Sequence, residues 1–155
     1  MKKGKLVLLI VLAFVAFACA FLIFSSSALS SDMSHAISKK VAELIVPYVN
    51  SGHDWQDRAI ADNIVRKCAH FAEYFAFSCL LFCFALCFGK KTKKILCAVF
   101  AALLLLIPVT DEALQLLSDR TSSPLDIGID LAGAAAGALI VFGVSAILKK
   151  LKNKQ

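Results

Sequence analysis

Leu6–Phe24 reads LVLLIVLAFVAFACAFLIF, nineteen residues without a charge. At ~1.5 Å of rise per residue, a helix of that length spans the ~30 Å hydrocarbon core of a bilayer. The rest of the chain repeats the pattern. Further apolar blocks run from about residue 69 to 88, from Ile95 onward and from about 131 to 148, with charges collected at their ends. Of the 155 residues 59% are apolar and only 18% charged, and the mean hydropathy is +0.78, which is unlike a soluble domain. A disordered chain, a disulfide-framed secreted module and most soluble enzymes are excluded. The expected fold class is all-α: a single integral membrane domain, 1–155, with four transmembrane helices. These fall at about 6–24, 69–88, 95–117 and 131–148, with an outer loop at 25–67. A cleaved signal peptide competes for the first block, since the start is basic and Ser26-Ser27-Ala28 could be cut. The apolar run is longer than a signal core, which favours a retained helix.

The lysines orient the chain. Lys2, Lys3 and Lys5 precede the first span, Lys90, Lys91, Lys93 and Lys94 separate the second and third, and Lys149, Lys150, Lys152 and Lys154 follow the fourth. With four crossings, these eleven of the 17 basic residues fall on one side, which is then cytoplasmic and holds both termini. All 11 acidic residues fall on the other side or in the outer ends of the spans. The net charge of +6 therefore reflects topology and contact with membrane lipids, and a nucleic-acid partner is not expected. The six cysteines, Cys19, Cys68, Cys79, Cys83, Cys87 and Cys97, lie in or beside the spans, away from the loop that a disulfide would brace. Cys79, Cys83 and Cys87 line one helix face, as packing residues or, less simply, as metal ligands.

In the outer loop, Ser31 or Asp32 caps an expected amphipathic helix. Met33, Ile37, Val41, Leu44 and Ile45 form its apolar stripe, and Pro47 ends it. Asn50-Ser51-Gly52 reads as a turn, after which Asp57 starts a helix that runs into the second span. Trp55 stands at headgroup depth.

Ionisable residues break into the spans at one level. Counted from the cytoplasmic ends at ~1.5 Å per residue, Glu73 lies ~22 Å out and His70 ~27 Å out. The third block is apolar for only ~21 Å, so its helix must continue through Asp111 and Glu112 to Gln115 at ~30 Å. On the fourth helix Asp130 lies ~27 Å and Asp126 ~33 Å out. Arg66, His70, Glu73 and Tyr74 share one helix side. Asp111 and Gln115 are four residues apart, and Asp126, Asp130, Gly133 and Gly137 form a stripe. Gly133 and Gly137 make a GxxxG surface, suited to close packing inside the chain or to pairing two copies. Carboxylates at this depth need partners, and Arg66, Lys67, His70 and Arg120 are available.

These residues resemble the VanZ-like family. The likeness lies in Arg66-Lys67-Cys68-Ala69-His70-Phe71-Ala72-Glu73-Tyr74, then Asp111-Glu112-Ala113-Leu114-Gln115 and Arg120. It continues in Asp126-Ile127-Gly128-Ile129-Asp130-Leu131-Ala132-Gly133 with Gly137, and in Phe24-Ser25-Ser26. The family often has Asn at the place of Asp130 and Gly at that of Asp119. The resemblance implies a small multispan protein of the bacterial cell membrane, related to a protein associated with resistance to the lipoglycopeptide teicoplanin.

Three functional expectations follow. In the first, Arg66, Lys67 and Arg120 hold an anionic group of a lipid-linked envelope substrate or lipoglycopeptide, within a binding site completed by Tyr74, Gln115, Asp126 and Asp130. In the second, the protein is a membrane-embedded enzyme, with His70, Glu73, Asp111 and Glu112 as the candidate catalytic residues. They would act as an acid/base set or as ligands of a divalent cation, although no other cofactor is expected. In the third, the cluster is a structural polar network. Transport is disfavoured, because the inner halves of all four spans are apolar.

Overall fold

The computed structural model describes residues 3–28, 39–41, 43–44, 55–117 and 124–154. Among these residues the architecture is all-α, with four membrane-length helices, α1 (Lys3–Ala28), α2 (Trp55–Leu86), α3 (Lys90–Leu117) and α4 (Pro124–Lys152). As the short apolar block required, α3 runs on through Asp111 and Glu112 and ends at Leu117. Pro108 sits inside it and is buried. Having no N–H, that proline leaves the Leu104 carbonyl without its helical donor.

All four helices start before their apolar blocks, α1 and α3 by three and five residues and the other two by more. α2 begins at Trp55, close to the expected Asp57, and α4 begins at Pro124 rather than near 131. Proline presets the backbone angle of a first helical residue, and Asp126 in the first turn complements the positive end of the helix dipole. The polar opening of α4 is therefore helical without being apolar. Of the amphipathic helix expected between Ser31 and Pro47, residues 39–41 and 43–44 are helical and exposed. Its ends, the Asn50-Ser51-Gly52 turn and Arg120 lie outside the described residues.

α2 is the central element. It packs against α1, α3 and α4, most closely against α4. In its first half Lys67 reaches Asp126, near the start of α4, and near its end Phe82 meets Phe142 with ring centroids 5.1 Å apart. The two helices thus run parallel, and Lys90, Lys91, Lys93 and Lys94 come to the same end of the molecule as Lys149, Lys150, Lys152 and Lys154.

Glycine sets the closeness of that pairing. A Cβ on Gly133 would overlap the Phe71 carbonyl oxygen, and one on Gly137 would stand 2.5 Å from the Phe75 oxygen. Both glycines are therefore used inside the chain, against α2. The Ser78 hydroxyl donates to the Ala134 carbonyl at 2.7 Å, and the Cys79 thiol to the Gly137 carbonyl at 3.7 Å. Cys79 thus has a packing role, and all six cysteines are free.

Ile23, Tyr74, Phe77, Leu81, Leu104 and Val141 form the centre of the apolar core, with Ala16 and Ile23 supplied by α1. Most other large apolar side chains point outward; Phe14, Phe17 and Leu139 are each more than 70% exposed. On a soluble protein such a surface would drive aggregation. On helices of this length it is the lipid-facing surface. Ser25 and Ser26 near the end of α1 return their hydroxyls to the Leu22 and Ile23 carbonyls, so neither is left unbonded in an apolar setting.

Candidate functional site

At the end away from the paired lysine groups, α2, α3 and α4 bring their polar residues together. The site has a rim and a buried tier.

The rim lies on α2 and the first turn of α4. Lys67 Nζ donates to Asp126 Oδ1 at 3.2 Å, with the lysine side chain 30% and the aspartate 12% exposed. Arg66 precedes Lys67 and is half-buried. Its Nε is shielded from solvent and has no hydrogen-bond partner among the described residues.

One turn deeper on both helices, His70 Nδ1 stands 3.3 Å from Asp130 Oδ1. This is ion-pair distance, although the imidazole N–H is not aligned for a hydrogen bond. The repeat from 67 to 70 and from 126 to 130 follows from the parallel helices, in which residues three or four apart fall on the same face. From α3, Asp111 reaches the same level, and Gln115, one turn on, donates its Nε2 to Asp111 Oδ2 at 3.3 Å. One ligand atom each from His70, Asp111 and Asp130 lies within 4.8 Å of the others.

Burial is close to complete in this tier. Tyr74, Gln115 and Asp130 are 0% exposed and Asp111 1%. Glu112 is also buried, and Glu73 is half-buried. Neither belongs to the three-way group, so of the four candidate catalytic residues the structure joins His70 and Asp111 directly and adds Asp130. Asp130 Oδ2, the Tyr74 hydroxyl and Gln115 Oε1 are buried without hydrogen-bond partners among the described residues.

Two buried polar residues escaped the sequence reading. Asp62 lies four residues before Arg66, a spacing that places both on one face of α2. Ser78 lies four residues after Tyr74 and bonds α4. The spacing was the available signal in both cases, and a single serine in an apolar run carries little weight. An apolar cavity of about 560 Å³ opens elsewhere, between α2 and α4 and lined by Cys79, Cys83, Leu86, Val144 and Lys149. It lies toward the lysine end and takes in none of the polar tier.

A family model described as VanZ/LLP1 matches residues 7–148, which take in α2, α3, nearly all of α1 and α4, and every described residue of the site. No curated protein and no solved structure matches the chain.

Proposed function

The chain belongs to the VanZ/LLP1 family, and from that premise we propose that it acts at the outer face of the bacterial cell membrane on anionic envelope material, in support of lipoglycopeptide tolerance. The observation that carries this reading is the partly exposed Lys67–Asp126 pair, with Arg66 beside it, above a buried polar tier. Guanidinium and ammonium groups at headgroup depth bind phosphates and carboxylates, and on this reading Arg66, Lys67 and Arg120 are the cations that do so. The excess of lysines at the opposite end supports an outward-facing rim. Beneath it His70, Asp111 and Asp130 meet from the three helices and form the floor of the site.

Deletion of the gene is expected to lower tolerance to a teicoplanin-type lipoglycopeptide. Wild type restores it, while Arg66→Ala, Lys67→Ala and His70→Ala variants do not. Full restoration by His70→Ala, Glu73→Ala and Asp111→Ala at equal protein levels would overturn the reading. The near-complete burial of Asp111, Gln115 and Asp130 favours a second reading, in which the tier is purely structural. On that reading tolerance falls only in step with protein abundance, and the rim variants, whose abundance is unchanged, behave as wild type.

A further inference from the structure

The His70, Asp111 and Asp130 side chains converge from three different helices, which makes them more than a run of neighbouring acids. Their ligand atoms lie within 4.8 Å of one another. Two ligands on one ion, each at ~2.1 Å, stand about 3–4 Å apart, so small side-chain rotations would bring all three onto a common centre. A second observation points to the same place. Asp130 is fully buried and its Oδ2 has no hydrogen-bond partner among the described residues, although its Oδ1 faces His70. The Tyr74 hydroxyl and Gln115 Oε1 are likewise buried and unbonded there. Buried polar atoms left unmatched are costly, and in a membrane domain there is little bulk water to satisfy them.

We propose that His70, Asp111 and Asp130 hold one divalent first-row metal ion, of the Zn²⁺ or Mn²⁺ type. Two carboxylates balance its charge, and a neutral imidazole gives the nitrogen ligand that such ions accept and that Ca²⁺ and Mg²⁺, which favour all-oxygen sites, do not seek. No thiolate joins the group, which disfavours Cu⁺. The Gln115 amide, bonded to Asp111 Oδ2, fixes the orientation of that ligand. Three protein ligands leave a further coordination position open, for water or for an anionic oxygen of an envelope group that reaches down past the rim into the buried tier. The proposal deepens the function proposed above and rests on it for the outward placement of that rim.

The test uses the full chain, purified in detergent through a tag without histidines and without chelators. Metal analysis is expected to find about one Zn²⁺ or Mn²⁺ per chain. After stripping, titration with Zn²⁺ and Mn²⁺ separately should refill one site and raise the unfolding temperature. Asp130→Asn should weaken binding at least ~100-fold, and Gln115→Leu, one step removed from the ion, ~10–100-fold. Co²⁺ added to the stripped wild type should give the visible absorption of a mixed nitrogen and oxygen site, a reading that does not depend on how any variant folds. Wild type that takes up neither ion at micromolar concentration overturns the site. So does binding that survives Asp130→Asn unchanged, which marks an adventitious ion. The two proposals fail separately. A metal-free wild type whose tolerance phenotype still depends on Lys67 overturns only the metal site. A metal-binding protein whose deletion leaves tolerance unchanged supports the site and overturns only the envelope reading.

Discussion

His70 Nδ1 and Asp130 Oδ1 stand 3.3 Å apart in a setting where the aspartate has no solvent access. Removing one member of such a pair strands the other, at a cost of about 3 kcal/mol. His70→Ala should therefore lower stability by about that amount, measured by unfolding in a denaturing detergent. Adding Asp130→Asn to it should recover most of the loss, because the stranded charge is gone; a cycle of the two single and one double variant checks this non-additivity. Lys67→Ala should behave differently. Its pair with Asp126 is partly exposed, and such pairs contribute no more than about 1 kcal/mol. If the proposed function holds, this variant separates stability from tolerance. Ser78→Ala, losing a bond to the Ala134 carbonyl, should cost about 0.6 kcal/mol, the usual worth of such a bond between membrane helices. Depth arithmetic on the sequence had placed His70, Asp111, Gln115 and Asp130 at one level. It left open which residue touches which, because partner choice depends on crossing angle and helix rotation, and those are fixed by packing across the interface.

At the scale of the helix, the decisive positions are glycines. Gly133 and Gly137 face backbone atoms of α2, while a Cβ on Gly143, farther along the same helix, would meet nothing within 4 Å. Gly137→Ala should therefore force α4 away from α2 and cost about 1–3 kcal/mol, the range for overpacking. Gly143→Ala should be neutral or gain up to about 1 kcal/mol from helix propensity alone. Unfolding of the two variants side by side checks the contrast. The spacing of Gly133 and Gly137 was legible in the sequence as a close-packing surface, with its partner undecided between α2 and a second copy. The onset of α4 at Pro124 was not legible from apolar content, since Pro124, Asp126 and Gly128 break up the hydrophobic run there. Capping chemistry, rather than hydropathy, decides where that helix begins.

For the whole molecule, the sequence carries the four spans and their common polar level because a bilayer imposes length and depth on the chain directly. Placement of the lysine end in the cytoplasm has a direct check. An impermeant thiol reagent applied to intact cells should label a Ser122→Cys variant and spare Lys91→Cys, in a background free of native cysteines; the reverse pattern would invert the topology. The close contact between α2 and α4 also bears on how the site can move. Gly133 and Gly137 act as a spacer gauge: by seating α4 on the Phe71 and Phe75 carbonyls, they fix the sliding register of the two helices. A slip of one residue would shift α4 by ~1.5 Å and turn its side chains by ~100°, carrying Asp130 away from His70. His70 and Asp130 are thus held in register with each other. Asp111 stands on α3, which packs less extensively on α2 and α4 and carries Pro108 one turn before the site. Any adjustment to a guest bound at this level is therefore expected of α3 and not of the α2–α4 pair.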